Sequence, residues 1–178
     1  CKGHTGCRAC KNACAKGAIS FSESGKAAVD WSLCSDCETI ECVTSCPENA
    51  LKQVVRLMTV EELMRILVRD SANWGAGGGV TFTGGEPLMH ADFLDQVLDR
   101  CVEENISCAI ETSGYAPQET FLKIFSRLSF AFVDVKNMDD EAHRWGTGVS
   151  NKRTLANISA LARSDWGGRL VLRTPTIH

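Results

Sequence analysis

An α/β fold built on a parallel sheet, preceded by a separate cysteine-rich segment, is what this sequence predicts. Three observations carry that expectation. Eight of the ten cysteines fall in the first 46 residues. Beyond them, short β-branched and aromatic runs alternate with amphipathic helical patterns, the rhythm of strands joined by right-handed helical crossovers in an open or barrel-closed sheet. The strand-like runs also end in glycine, polar or charged residues, where ligands sit in such sheets. The division falls at residues 1–55 and 56–178. A chain of 178 residues with 44% apolar residues can bury one core and carry a small appendage.

The remaining composition excludes several classes. The net charge of −3 is spread over both signs with no basic run, so no nucleic acid partner is expected. No segment approaches the roughly 20 apolar residues that span a bilayer, and the start has no signal-peptide pattern. The sequence therefore reads as cytoplasmic, with no membrane partner. It begins at Cys1 without Met and stops at His178 after a strand-like run, which reads as a fragment.

Within the first segment the cysteines form two sets. Cys1, Cys7, Cys10 and Cys14 follow Cys-x5-Cys-x2-Cys-x3-Cys; Cys34, Cys37, Cys42 and Cys46 follow Cys-x2-Cys-x4-Cys-x3-Cys-Pro. Such gaps fold thiolates around one inorganic centre. The tails match as well, Cys14-Ala15-Lys16-Gly17-Ala18-Ile19 against Cys46-Pro47-Glu48-Asn49-Ala50-Leu51, so the segment is an internal duplication. Disulfides would need an oxidising compartment, and two zinc sites with thiolate ligands remain an alternative. The Cys-x3-Cys-Pro ending resembles the bacterial two-cluster ferredoxin, in which the fourth Cys of each run ligates the other cluster. That resemblance implies one [4Fe-4S] cluster on Cys1, Cys7, Cys10 and Cys46, and a second on Cys34, Cys37, Cys42 and Cys14. His4 stands where a ferredoxin usually has its first Cys and is the rival to Cys1.

Taken in order, Ala18 to Ser22 and Ala27 to Asp30 are strand-like runs around a turn with Gly25. Thr59-Val60-Glu61-Glu62 is a capping box, and Val60, Leu63, Met64, Leu67 and Val68 recur at helical spacing. Strand Val80 to Thr83 then precedes helix Asp92 to Glu104, strand Ser107 to Thr112 precedes helix Gln118 to Leu128, and strand Phe130 to Val135 precedes helical patterns at Asp139 to Trp145 and Thr154 to Ala162. Strand Arg169 to Arg173 closes the series. Cys101 falls on a helix's apolar stripe and Cys108 in a strand, where a free Cys packs as a small hydrophobe.

The strand ends hold the candidate site. Thr83-Gly84-Gly85-Glu86-Pro87 bares its backbone at two glycines, offers an acceptor and fixes a turn. Glu111-Thr112-Ser113-Gly114, Asp134-Val135-Lys136 and Arg173 end the later strands. Thr112 and Ser113 could instead cap the next helix, and Asp134 with Lys136 could be a solvated ion pair.

A Gly-Gly-Glu-Pro loop, a Glu-Thr-Ser-Gly end, an Asp-Val-Lys end and the ferredoxin-like segment together resemble the radical S-adenosylmethionine family, and within it the glycyl-radical enzyme activating enzymes. The resemblance implies a partial (β/α)6 barrel, incomplete at both ends here, behind an N-terminal ferredoxin-like domain with two [4Fe-4S] clusters. It implies that Gly84, Gly85 and Glu86 hold the methionyl ammonium, that Thr112, Ser113, Asp134 and Lys136 line the carboxylate and ribose, and that Arg173 approaches the carboxylate from across the sheet. Glu111, Thr112 and Asp134 would stand near a monovalent cation. The family's Cys-x3-Cys-x2-Cys signature, which holds a third [4Fe-4S] cluster, is not in this sequence. The implied activity is reductive cleavage of S-adenosylmethionine to a 5′-deoxyadenosyl radical that takes hydrogen from a glycine of a partner glycyl-radical enzyme, with a flavodoxin or ferredoxin as reductant. A plain electron-transfer protein, or a radical enzyme with a small-molecule substrate, are the competing readings.

Overall fold

The computed structural model describes residues 1–34, 37–54 and 56–175. The chain divides into two compact units, Cys1–Leu57 and Met58–His178. In the first, a 3-10 turn at Gly3–Thr5 leads to α1 (Ala9–Ala13), β1 (Ile19–Phe21), β2 (Ala27–Val29), α2 (Trp31–Cys34) and α3 (Glu41–Thr44). β1 and β2 pair antiparallel, Ile19 opposite Val29 and Phe21 opposite Ala27. Their turn is closed by Ser22 N–H donating to Lys26 O at 2.9 Å and Gly25 N–H to Ser22 O at 2.9 Å. α1, α2 and α3 have five, four and four residues. Helices of that length make barely one turn, so no apolar period announces them.

The second unit opens with α4 (Val60–Ser71), whose capping box is formed on both sides: Glu62 N–H donates to Thr59 Oγ1 at 3.2 Å and Thr59 N–H to Glu62 Oε2 at 2.9 Å. Then follow β3 (Val80–Phe82), α5 (Ala91–Glu103), β4 (Cys108–Thr112), α6 (Gln118–Phe125), β5 (Phe130–Asp134), α7 (Asp140–Thr147), α8 (Lys152–Ala162) and β6 (Arg169–Arg173). The strands form one sheet in the order β3-β4-β5-β6, parallel at every pairing. The alternation of strand and helix produces the expected α/β layer.

Register sorts the side chains. Cys108, Ile110 and Thr112 of β4, with Ala131 and Val133 of β5, are buried on one face. There they join Met64 and Leu67 of α4, Leu94, Val97, Leu98 and Cys101 of α5, Phe121, Ile124 and Phe125 of α6 and Leu161 of α8 in one core. Phe121 and Phe125 stack at 3.9 Å between ring centroids, and Trp166 meets Phe125 edge-on at 5.8 Å while its Nε1–H donates to Leu128 O. The alternate residues Ala109, Glu111, Phe130, Phe132 and Asp134 remain half-exposed on the opposite face.

Between β5 and α8 the chain ties itself together. Asn151 Nδ2 donates to the carbonyls of Asn137 and Met138, Asp140 Oδ1 accepts from Ser150 Oγ and Asn151 N, and buried His143 bonds Val149 O through Nδ1 at 2.7 Å. α7 runs to Thr147 and α8 starts at Lys152, outside the spans that apolar spacing marks, because their ends are polar and set by these bonds.

Phe121 has no exposed surface, so Phe121→Ala should cost about 3–5 kcal/mol in urea unfolding. Val102→Ala on the exposed side of α5 should stay within about 0.5 kcal/mol of the parent. Equal losses at the two positions would contradict the assigned core.

Candidate functional site

At the C-terminal end of β3 the chain turns through Gly84, whose φ of 119° is closed to residues with a β-carbon. Around Gly84 and Gly85 there is open space on the side a β-carbon would occupy. Glu86 follows, and its carboxylate is turned onto its own chain. Oε1 accepts from Thr112 Oγ1 at 2.5 Å and from Leu88 N at 3.1 Å; Oε2 accepts from Ser113 N at 2.8 Å. Thr112 Oγ1 also accepts from Gly114 N at 2.9 Å. The ends of β3 and β4 are thereby locked to each other, and Thr112 and Ser113 do this instead of capping α6, whose N-cap is Pro117.

α8 holds the same turn from behind. Thr154 Oγ1 donates to Ser113 O at 3.0 Å, and Asn157 Nδ2, fully buried, donates to Gly114 O and Ala116 O at 2.9 Å each. Gly114 is left-handed at φ 67°, and a β-carbon there would stand 3.1 Å from Val133 Cγ1. Sequence reasoning did not single out Thr154 and Asn157. Their signal was two polar residues at the same helical face as Leu161.

A second group occupies the opposite face of the sheet. Asp134 Oδ2 pairs with Lys136 Nζ at 2.7 Å and Oδ1 with Arg173 Nε at 2.8 Å. Arg173 reaches on to Glu111 Oε2 at 3.3 Å and lies over the Phe132 ring, 4.7 Å from its centroid. Burial pushes the Asp134 carboxyl up, but the bonds from Lys136 and Arg173 outweigh it and hold the group below the usual carboxylate range. β6 is the neighbour of β5, and the register seats Arg173 directly opposite Asp134. The candidate residues thus fall into two bonded sets, Glu86 with Thr112 and Ser113, and Glu111 with Asp134, Lys136 and Arg173.

In the first unit Cys46 of the second set gathers with three cysteines of the first. Cys1, Cys7, Cys10 and Cys46 line one cavity together with Phe21 and Pro47. His4 is not in its wall. Cys34, Cys37 and Cys42 line a second groove with Val29, Trp31 and Ile40. The Cys42 thiol is pushed up by burial and then by Cys14, Cys34 and Cys37 nearby. The duplication has a structural counterpart: Ala18 N–H donates to Cys14 Sγ and Ala50 N–H to Cys46 Sγ, each at 3.3 Å. Amides of Leu51, Glu48 and Ala50 hold the Cys46 thiol below its ordinary value. The thiols spread over cavity walls, and among the described residues no three His, Cys, Asp or Glu side chains meet at a point suited to a single metal ion. Cys101 and Cys108 are buried in the second unit, Cys101 Sγ 3.9 Å from Met64 Sδ; the bond to Cys101 and burial push the Cys108 thiol far up. Both are packing residues.

No helix among the described residues is long and apolar enough to cross a membrane. Residues 44–178 match the radical SAM superfamily. The chain is 59% identical to the 4-hydroxyphenylacetate decarboxylase activating enzyme of Clostridium scatologenes over 99% of its own length and 57% of that protein's. It is 51% identical to the enzyme of the same name from Clostridioides difficile (strain 630), over 99% of this chain and 56% of that one. Among solved structures, a domain of a pyruvate-formate lyase-activating enzyme from Bacteroides vulgatus superimposes with a TM-score of 0.50 at 37% identity, covering 56% of this chain and 60% of that domain. The chain spans somewhat more than half the length of these curated relatives. With its parallel sheet, its Gly-Gly-Glu-Pro loop and a match over most of its length, the chain belongs to the radical SAM superfamily.

Proposed function

We propose that this chain is part of a glycyl-radical enzyme activating enzyme, and that its partner is a decarboxylase of the 4-hydroxyphenylacetate type. The observation that carries the reading is the loop of two bare glycines at the sheet's C-terminal edge, clamped from behind by Glu86, Thr112 and Ser113. The relatives' names supply the partner class. S-adenosylmethionine, bound at a reduced [4Fe-4S] cluster that donates one electron, would release methionine and supply a 5′-deoxyadenosyl radical able to take a hydrogen atom from a glycine of the partner.

The work of this chain is to bind, orient and exclude water. Gly84 and Gly85 offer backbone groups to the methionyl ammonium at close approach. Glu86 adds negative charge there, with one acceptor position left on Oε2 after its bond to Ser113. Thr112 has its hydroxyl engaged on both sides, by Glu86 and Gly114, so its contribution is to hold the loop in shape while Ser113 faces the cofactor. Asp134 accepts from the ribose, and Lys136 and Arg173 meet the carboxylate, their charges balanced by Asp134 and Glu111 when no ligand is present. A monovalent cation would sit by Glu111, Thr112 and Asp134.

In the first unit, one [4Fe-4S] cluster would be held by Cys1, Cys7, Cys10 and Cys46, which line one cavity, and one by Cys14, Cys34, Cys37 and Cys42, three of which line another. Thiolates on cavity walls with amide donors to sulfur are the donor set such clusters take. They would pass electrons from a flavodoxin or ferredoxin in the cytoplasm.

Anaerobic reconstitution of the chain with iron and sulfide should load about eight irons, four for each cluster. A zinc content near two with no iron bound would reverse the metal assignment. In the full-length protein, Glu86→Ala should weaken S-adenosylmethionine binding by roughly 1.5–3 kcal/mol in calorimetric titration, the range of a lost charge-assisted bond. Thr112→Val should weaken it as well, and Thr112→Ser should restore it. Unchanged affinity in both Glu86→Ala and Thr112→Val would remove this loop from the cofactor site.

A further inference from the structure

Two turns carry the candidate site, and the sheet does not by itself fix the distance between them. The β4–β5 ladder ends where Thr112 stands opposite Val133. Ser113 and Lys136 lie beyond that point, on the turn that follows β4 and the turn that follows β5. Both turns are held from the helix side by α8. Asn151, directly before the helix, sends Nδ2 hydrogens onto Asn137 O at 3.1 Å and Met138 O at 2.8 Å, the two carbonyls that follow Lys136. Three and six residues further on, Thr154 and Asn157 hold the other turn, through Ser113 O at 3.0 Å and through Gly114 O and Ala116 O at 2.9 Å each. Ser113 is thereby gripped on both sides of its backbone, its N–H by Glu86 Oε2 at 2.8 Å and its carbonyl by Thr154.

Stability alone is a poor reason for these side chains. Asn151, Thr154 and Asn157 are 2%, 4% and 1% exposed, three of the five buried polar side chains among the described residues. A bonded buried amide or hydroxyl gains little over an apolar side chain of the same shape, so packing α8 against the sheet does not require them. What sets them apart is their acceptors, all of them main-chain carbonyls of the two turns that carry site residues. We infer that Asn151, Thr154 and Asn157 are positioning residues that make α8 a spacer between the Glu86 and Ser113 half of the site and the Asp134 and Lys136 half, an assignment that rests on the cofactor site proposed above. They act through Ser113 and Lys136. A ligand that must engage both halves at once, its ammonium at Gly84 to Glu86 and its carboxylate at Lys136, binds well only when they stand at one separation. Releasing either turn spoils that separation, so releasing the second adds little.

The test is anaerobic calorimetric titration of the cluster-loaded full-length protein with S-adenosylmethionine, paired with urea unfolding. Asn151→Ala and Thr154→Val should each weaken binding at least about fivefold, and Thr154→Ser, which keeps the hydroxyl, should restore it. The double variant should bind within about twofold of the weaker single one, because the two changes undo one spacing. Thr154→Val exchanges a hydroxyl for a methyl of like size, so its comparison with Thr154→Ser decides even where Asn151→Ala folds poorly. Leu98→Ala takes buried bulk from α5 and has no bond to either turn; it should lower the urea midpoint while affinity stays within about twofold of the parent. Losses that multiply in the double variant would make the residues independent local supports, and an equal loss of affinity in Leu98→Ala would reduce their effect to general stability. Either result overturns the spacer role. So does unchanged affinity in Asn151→Ala and Thr154→Val where Glu86→Ala and Lys136→Ala lose it, which leaves the cofactor site intact. Unchanged affinity in Glu86→Ala and Lys136→Ala themselves would sink the cofactor site, and the spacer role with it.

Discussion

Side chains on a strand alternate between its two faces, and in this sheet that period of two separates stability from chemistry. Glu111 and Thr112 are neighbours in sequence, yet Thr112 points under the helices beside Ile110 while Glu111 stands on the half-exposed side with Phe132 and Asp134. A slip of one residue in the β4 register would carry Thr112 away from Glu86 and expose the core row of Cys108 and Ile110. The core therefore fixes the site. Ile110 and Val133, both without exposed surface, hold the register that places Asp134 opposite Arg173 and Thr112 against the Gly-Gly-Glu-Pro loop.

The charges on the half-exposed side compensate one another before any ligand arrives. Glu111 and Asp134 face Lys136 and Arg173, and the Arg173 guanidinium lies over the Phe132 ring. Its other function is to fix direction. Planar donors held by two carboxylates present their remaining N–H groups along one line, which suits a carboxylate that must arrive in one orientation. On the helix side the logic is different: Glu86 is satisfied by neutral donors from the chain itself, so its negative charge is retained and its position is set.

Much of this was legible in the sequence, and the limits have physical causes. The strands and long helices announce themselves through period, and the Cys-x2-Cys gaps with matching tails announce two sets of thiols. The crosswise grouping of Cys14 and Cys46 came from resemblance rather than spacing, since which cavity a fourth cysteine enters depends on how the halves pack. Strand order is likewise tertiary information, so the pairing of Arg173 with Asp134 is not visible until β6 stands beside β5. Glu86 reads as a free acceptor in sequence because its donors lie 26 and 27 residues away, at Thr112 and Ser113. The short α1, α2 and α3 lack the length to show a period, and Thr154 and Asn157 look like ordinary polar surface until their partners are known.

The arrangement of the cysteines also bears on how the first unit can change. Cys46, the last thiol of the second repeat, lines the cavity of Cys1, Cys7 and Cys10, so that wall is built from both halves of the duplication. A change confined to one repeat is therefore felt across the unit: loss of Cys46 strips a thiol from a wall that the other half mainly builds.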